Sequence, residues 1–299
     1  MEKGFFPIII TLIMVLSLFN MVKAAEEDQV FFSITDPTGD DYGPGTYKYP
    51  TNEVFRSHKG LFDITGFSVK RDNEEYLLRF SLKKLTNPWK GKFGFSLPLI
   101  QLYIDNQEGG STELFKEGAN VRLDPRYPWD RLLKICGWWV RAYQPEDRNK
   151  EVNFWNAEEN PWDVSDARVE VEGNDILVRL KGEVTGKMEN ARVYLIVGSF
   201  DPFGPDHFRS VERELSSWSF ADLTHDNLDK APRVIDLVLP ANRDQAEVLG
   251  DFVDDYPLIY PFQIRESGNM FISLNKHLYF LLLLIIPLVI VVRKYWRNV

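Results

Sequence analysis

The sequence predicts an all-β protein, an antiparallel β-sandwich with a C-terminal transmembrane helix, and three observations carry that prediction. Short β-branched and aromatic runs recur between Gly, Pro and Asn signals. Residues 75–82 set Tyr76, Leu78, Phe80 and Leu82 against Leu77, Arg79 and Ser81, the period of two of a half-buried strand. No long helical pattern alternates with the strands, which excludes a parallel βαβ sheet.

Taken in order, residues 30–35 form a first strand that runs into 36–50, DPTGDDYGPGTYKYP. Pro37, Gly39, Gly43, Pro44 and Gly45 forbid a helix there. Tyr42, Tyr47 and Tyr49 favour an ordered turn, because disordered segments are poor in aromatic residues. Strands follow at 61–70, 75–82 and 97–105, the last closed by the turn 106–110. Gly173-Asn174 between 168–172 and 175–180 is a two-residue hairpin signal. Residues 191–199 read as a central strand, 234–239 as the last strand and 243–252 as a weak helix.

Both ends stand apart from this body. Lys3, the apolar run 5–19 and Val22-Lys23-Ala24 have the pattern of a secretory signal peptide cleaved after Ala24, with an uncleaved anchor as the alternative. Residues 278–292 contain no charge and precede Arg293, Lys294 and Arg297. A buried core helix is the alternative, but an apolar stretch without one polar face cannot be amphipathic, and the basic tail stays inside. Tyr279, Tyr295 and Trp296 extend its reach at the interfaces. The expected organisation is a leader at 1–24, a sandwich domain at 25–265, a linker at 266–277, a transmembrane helix at 278–292 and a cytoplasmic basic tail at 293–299. The body would then be extracellular, tethered to the cell membrane.

Charge excludes one function class. The whole chain carries −9; residues 1–24 contribute +1 and 293–299 contribute +3, leaving −13 for the remainder. Such a body repels phosphate backbones, so no nucleic-acid partner is expected. Cys136 is the only cysteine, so no internal disulfide forms, and four scattered histidines give no zinc spacing.

Asp36, Asp40 and Asp41 repel one another on their tight turn unless a cation lies between them, and a hard divalent ion takes such oxygens readily. The alternative is a solvated loop whose Asp side chains bond their own backbone. Eight tryptophans are many for this length, and seven lie in the body. Trp129, Trp138, Trp139 and Tyr143 crowd one segment, while Trp155 and Trp162 lie among Asn153, Asn156 and Asn160. Flat rings rimmed by amides suit the C–H faces of a neutral sugar, although large aromatics more often fill cores. On a strand, Trp138 and Trp139 would face opposite sides. A rigid loop brackets Asp201 and Asp206, but capping turns are commoner than active sites, and no residue is assigned to catalysis.

The segments DPTGDDYGPGTYKYP, PWKGKFGFSLPLIQLYID with GGST, LDPRYPWD with GWW, and VGSFDPFGPDHFR occur in that order. Together they resemble the C-terminal module of glucodextranases, also found on amylopullulanases of heat-loving archaea, over residues 34–254. That resemblance implies a DOMON-like sandwich related to type 9 carbohydrate-binding modules, and a likeness to domains that attach enzymes to cell surfaces. It implies a non-catalytic carbohydrate-binding role, for an α-glucan above all. A structural surface-layer attachment or partner-binding role without sugar affinity is the alternative. Such modules trail a glycoside hydrolase, and no such domain is present in these 299 residues, so a hydrolase or the surface layer is an expected partner. The resemblance also implies structural calcium, for which the residues offer Asp36, Asp40 and Asp41 as ligands, joined by Asp63 if the second strand pairs beside the first.

Overall fold

Strands of two kinds build the body, and their burial patterns tell them apart. The computed structural model describes residues 30–265 except 116, 149, 151–159 and 253, and Val30–Arg265 forms one unit. The expected leader, linker, transmembrane helix and tail lie outside the described residues. Among the described residues no helix is long and apolar enough to cross a membrane.

The first sheet takes β1 (Val30–Thr35), β2 (Ile64–Asp72), β3 (Glu75–Leu82), β8 (Arg168–Glu172) and β9 (Asp175–Lys181) in the order β1-β2-β3-β9-β8. Every neighbouring pair is antiparallel. Burial along β3 alternates strictly, with Tyr76, Leu78, Phe80 and Leu82 inside, as the period of two requires. Gly173-Asn174 joins β8 to β9 in the expected hairpin, with Glu172 opposite Asp175.

The second sheet takes β4 (Pro98–Asp105), β6 (Arg131–Ile135), β7 (Val140–Tyr143), β10 (Arg192–Ser199) and β13 (Asp236–Val238) in the order β13-β10-β4-β6-β7. β15 (Phe262–Gln263) also pairs with β10. Seven successive residues of β4 and seven of β10 are buried, because both faces of this sheet are covered. Ile100, Leu102, Leu133, Val193 and Leu195 pack between the sheets against Phe67, Val69, Leu78 and Phe80. On the other face Leu99, Tyr103, Leu132, Tyr194 and Ile196 meet a second core supplied by loops, among them Trp129, Trp139 and Phe208.

The remaining elements are short. β5 (Arg122–Leu123) pairs with β14 (Leu258–Ile259), and β11 (Val211–Glu212) with β12 (Phe220–Ala221). Both pairs are parallel, a departure from the purely antiparallel expectation confined to two-residue contacts between loops. Among the described residues three α-helices, α1 (Glu53–Arg56), α2 (Gly182–Thr185) and α3 (Gln245–Gly250), are at most six residues long. Residues 234–239 are not the last strand, since β14 and β15 follow; both are too short to show a period.

Candidate functional site

Three features gather functional side chains, and the acidic turn forms the first. Gly39, Gly43 and Gly45 all adopt positive φ, which lets residues 36–50 fold back on the sandwich without a Cβ clash. Buried Gln245 of α3 pins this turn: its Nε2 donates to the Asp40 carbonyl at 2.6 Å, and its Oε1 accepts from the Leu237 amide at 3.0 Å. Pairing of β2 beside β1 carries Asp63 to the turn, where Oδ2 accepts from the Gly39 amide at 2.7 Å.

Asp36 and Asp40 meet Asp236 of β13, each offering an oxygen within 4.8 Å of the others. Asp236 is fully buried and accepts from the amides of Ile64 and Leu237. Three further carboxylate oxygens are buried without any hydrogen-bond donor: Asp36 Oδ2, Asp40 Oδ1 and Asp63 Oδ1. Lys83 Nζ, 3.4 Å from Asp63 Oδ2, is the cation paired with this group. Burial first, and the Asp40 charge second, push the Asp36 carboxyl up to about 8. Burial also raises Asp40 and Asp63, and Asp236 rises well above the usual carboxylate range. These are acceptors with nothing to accept, which is the donor set a hard cation fits.

Asp41 differs from its neighbours. It is buried, but Tyr49 donates a short hydrogen bond to its Oδ2. Burial holds its pKa at about 6, with the Tyr49 bond pulling the other way. Asp41 is therefore satisfied within the protein, whereas Asp236, which the sequence reading passed over, completes the group. Asp236 follows Val234-Ile235 in an apolar run, and an acid inside such a run was the signal available.

The second feature is the outer face of the second sheet. Gln101 of β4 lies opposite Lys134 of β6, and Lys134 opposite Arg141 of β7, so one polar row crosses three strands. All three are fully buried. Lys134 Nζ is bonded to Asp206 Oδ1 and lies 3.4 Å from the Phe115 ring centroid. Gln101 Nε2 donates to the other oxygen of Asp206 at 3.0 Å, and Tyr103 donates to Gln101 Oε1 at 2.6 Å. Arg141 Nε donates to Asp163 Oδ1 at 2.6 Å, and its guanidinium lies 4.1 Å from the centroid of Trp139. Asp206 and His207 both adopt positive φ, 50° and 63°, a strained conformation for two side-chain-bearing residues. Burial, with Lys134 and Arg141 nearby, lowers the His207 pKa to about 3, so its imidazole is neutral.

Three of the four aromatic residues singled out from the sequence lie in this core. Trp129, Trp139 and Tyr143 are buried, and a ring packed on both sides offers no face to a sugar. Trp129 packs edge-on to Tyr103 and donates from Nε1 to the Glu113 carbonyl at 2.9 Å. Trp138 is half-buried, its ring centroid 5.1 Å from that of Phe200. Trp138 and Trp139 sit in the turn between β6 and β7, closed by Cys136 N to Trp139 O at 3.1 Å. Their divergence is thus turn geometry and not strand alternation. Trp162 stacks on Tyr143 at 5.3 Å, and Trp155 lies outside the described residues.

A third feature, which the sequence reading missed, lies where β4 begins and β10 ends. Trp89 and Trp218 both pack edge-on to Phe55, at 6.0 and 6.4 Å, and Trp218 remains 49 % exposed. Arg209 lies 5.3 Å from Phe55 and 5.6 Å from Trp89, and donates to the Trp218 carbonyl at 2.8 Å. Phe203, in the loop after β10, is 78 % exposed. A tryptophan flanked by serines, as in Ser216-Ser217-Trp218-Ser219, was the signal for this rim.

Two β-sheets with a buried polar face, an aromatic rim and an acidic turn make the described body a two-sheet β module. More particularly, the chain belongs to the family of the C-terminal, SLH-like binding module of glucodextranase, whose family model matches residues 31–259. That family is a binding module and not a catalytic domain. No curated protein matches the sequence.

Proposed function

We propose that the protein is a non-catalytic module that holds a glycan, an α-glucan first among them, at the cell surface. The observation carrying this reading is the half-exposed Trp218 beside Trp89, both supported by Phe55 and Arg209. A partly exposed indole held by Phe55 and by the Arg209 bond to its own carbonyl suits the stacking of a sugar face. Of the four aromatics expected to bind, Trp138 keeps this role, while Trp129, Trp139 and Tyr143 act as its support. The test is retention on amylose or dextran and elution by free oligosaccharide. Trp218→Ala should abolish retention and leave melting unchanged; passage of the unmodified protein through every glucan column would remove this reading.

The same proposal includes an anchor and an ion. Residues 1–24 act as a cleaved leader, and 278–292 as the membrane span holding an extracellular body. Truncation before Lys276 should then release a soluble body. The acidic group of Asp36, Asp40, Asp63 and Asp236 holds calcium as a structural ion, with Asp41 braced behind it. The ion would neutralise the carboxylates and tie the turn to β2 and β13.

The alternative, attachment to a protein partner or a surface layer, is favoured by one observation. The matched family model is described as SLH-like, a likeness to surface-layer attachment. Capture of surface-layer material without glucan affinity would select it.

A further inference from the structure

The acidic turn already has one cation of its own, and it is a side chain. Four carboxyl groups gather there: Asp36, Asp40 and Asp236 within 4.8 Å of one another, and Asp63, whose charge acts on all three. Asp63 is fully buried, and its Oδ1 meets no hydrogen-bond donor. Its Oδ2 accepts from the Gly39 amide at 2.7 Å and faces Lys83 Nζ at 3.4 Å. One ammonium therefore serves a group that has room for more positive charge.

The backbone delivers Lys83 to this place. It follows β3 directly, and its amide donates to the Asp63 carbonyl at 2.8 Å. Gly60, at a φ of 75°, lies under the lysine stem: a Cβ there would come within 2.6 Å of Lys83 Cδ. A Cβ on Gly39 would lie 3.9 Å from Nζ, so the ammonium rests against the turn itself. Yet the Lys83 side chain is 43 % exposed while that of Asp63 is 0 % exposed. One partner is fixed in the interior; the other is a compact charge on a flexible four-carbon stem with water beside it. Such a group can swing outward without unfolding its neighbours.

An ion has a separate way in. Asp36 and Asp40 line a cavity of about 590 Å³ together with Ser33, Thr35 and Leu237, and Lys83 is not among its walls. An ion arriving from that side is repelled by the ammonium already beside Asp63. A monovalent ion brings no more charge than the ammonium and has no tether to hold it. A divalent ion brings twice the charge and takes several oxygens at once.

We propose that Lys83 is the resident cation of the acidic turn, a tethered stand-in that a divalent ion displaces outward from Asp63. This rests on the ion-binding reading and adds to it the residue that sets affinity and the preference for divalent over monovalent ions. Without the ion, Lys83 partly neutralises the carboxylates and holds residues 36–50 against the sandwich. With the ion, the ammonium moves to water and Asp63 turns its charge to the ion. Occupancy then follows the divalent concentration while the fold persists without it.

Calorimetric titration of the full chain with calcium at constant pH tests the assignment, beside Lys83→Met, Lys83→Arg and Lys84→Met. Lys83→Met keeps a stem and removes the charge. It should bind calcium at least about tenfold more tightly than the unmodified protein, because a competing like charge has left. Its ion-free Tm should fall, and the rise on adding calcium should be larger. Lys83→Arg keeps the charge, and Lys84→Met removes the same charge one residue away; each should stay within about twofold of the unmodified affinity. Amine-reactive labelling of the unmodified protein, read by peptide mass, tests the displacement itself. Labelling at Lys83 should rise several-fold on addition of calcium and stay level on addition of sodium. Calcium affinity that is unchanged or weaker in Lys83→Met, or Lys83 labelling that calcium leaves level, overturns this inference and leaves the ion-binding reading standing. Absence of calcium binding in both the unmodified protein and Lys83→Met removes the ion-binding reading, and this inference with it.

Discussion

The acidic turn and the polar face of the second sheet are opposites in hydrogen-bonding terms. At the turn, Asp36, Asp40 and Asp63 bury oxygens that receive no donor. At the face, the indole N–H of Trp139 is a buried donor that meets no acceptor, while the Arg141 guanidinium is bonded to Asp163 and the Tyr143 hydroxyl. An unmade buried hydrogen bond costs about 1–3 kcal/mol, so each region lowers the stability of the ligand-free fold. The difference lies in the kind of group left over, carboxylate acceptors at the turn and an indole donor at the face. Asp41 and Lys134 provide the internal contrast, since each is equally buried but satisfied, by Tyr49 and by Asp206.

The largest expected effect tests that contrast at the polar face. Lys134→Ala removes one member of a buried ion pair and leaves Asp206 unpaired, which should cost about 3–5 kcal/mol of stability. Chemical denaturation reads this directly, and a loss below about 1 kcal/mol would mean that Asp206 finds other partners.

Chelation comes next, at the acidic turn. A calcium ion bound only by the folded state contributes about 2.7 kcal/mol at a hundred times its Kd. Chelator should therefore lower the Tm by roughly 5–10 °C at pH 8, and calcium should restore it. Identical melting in both conditions would leave the acidic turn without a metal role.

A pH series sharpens the same point. The Asp36 carboxyl is raised to about 8 and Asp41 to about 6 in the fold, above their ordinary 3.8. Between those values and 3.8 the folded state binds more protons than the unfolded chain, so the metal-free protein loses stability as pH rises. The Tm in chelator should fall from pH 5 to pH 8, and calcium should matter little at pH 5 and most at pH 8. Asp40→Asn removes one of the repelling charges. It should raise the metal-free Tm at pH 8 by a few degrees, roughly 1 kcal/mol, and abolish the response to calcium. A metal-free Tm that rises with pH would contradict the carboxylate arrangement.

Smallest of all is the stability effect of Tyr143→Phe, expected at about 0.5–1 kcal/mol because the hydroxyl removed is hydrogen-bonded to Arg141. No loss on denaturation would mean that this bond contributes nothing to the fold.

Much of the architecture could be read along the chain. Strand β3 showed itself by alternation, and the β8–β9 hairpin by Gly173-Asn174, because both signals span only a few residues. Strands β5 and β14, of two residues each, have no period to show and exist only through each other. Asp36 and Asp40 were legible at the turn by their crowding. Trp218 and Trp89 were not, since exposure depends on what packs around Phe55.

The sequence by itself determined the all-β class, the family and the concentration of acids at residues 36–41, because composition and short-range pattern decide them. Only the tertiary structure decided which side chains share a space. Asp236 reaches Asp36 because β13 and the end of β1 are brought to the same side of the sandwich. Trp129 and Trp139 are core because loops fold over the second sheet and cover its outer face. Arg141 faces the same interior as Lys134 because register across β6 and β7 sets them opposite each other. Burial and unmatched hydrogen-bonding groups are properties of that non-local packing, which no stretch of the chain specifies alone.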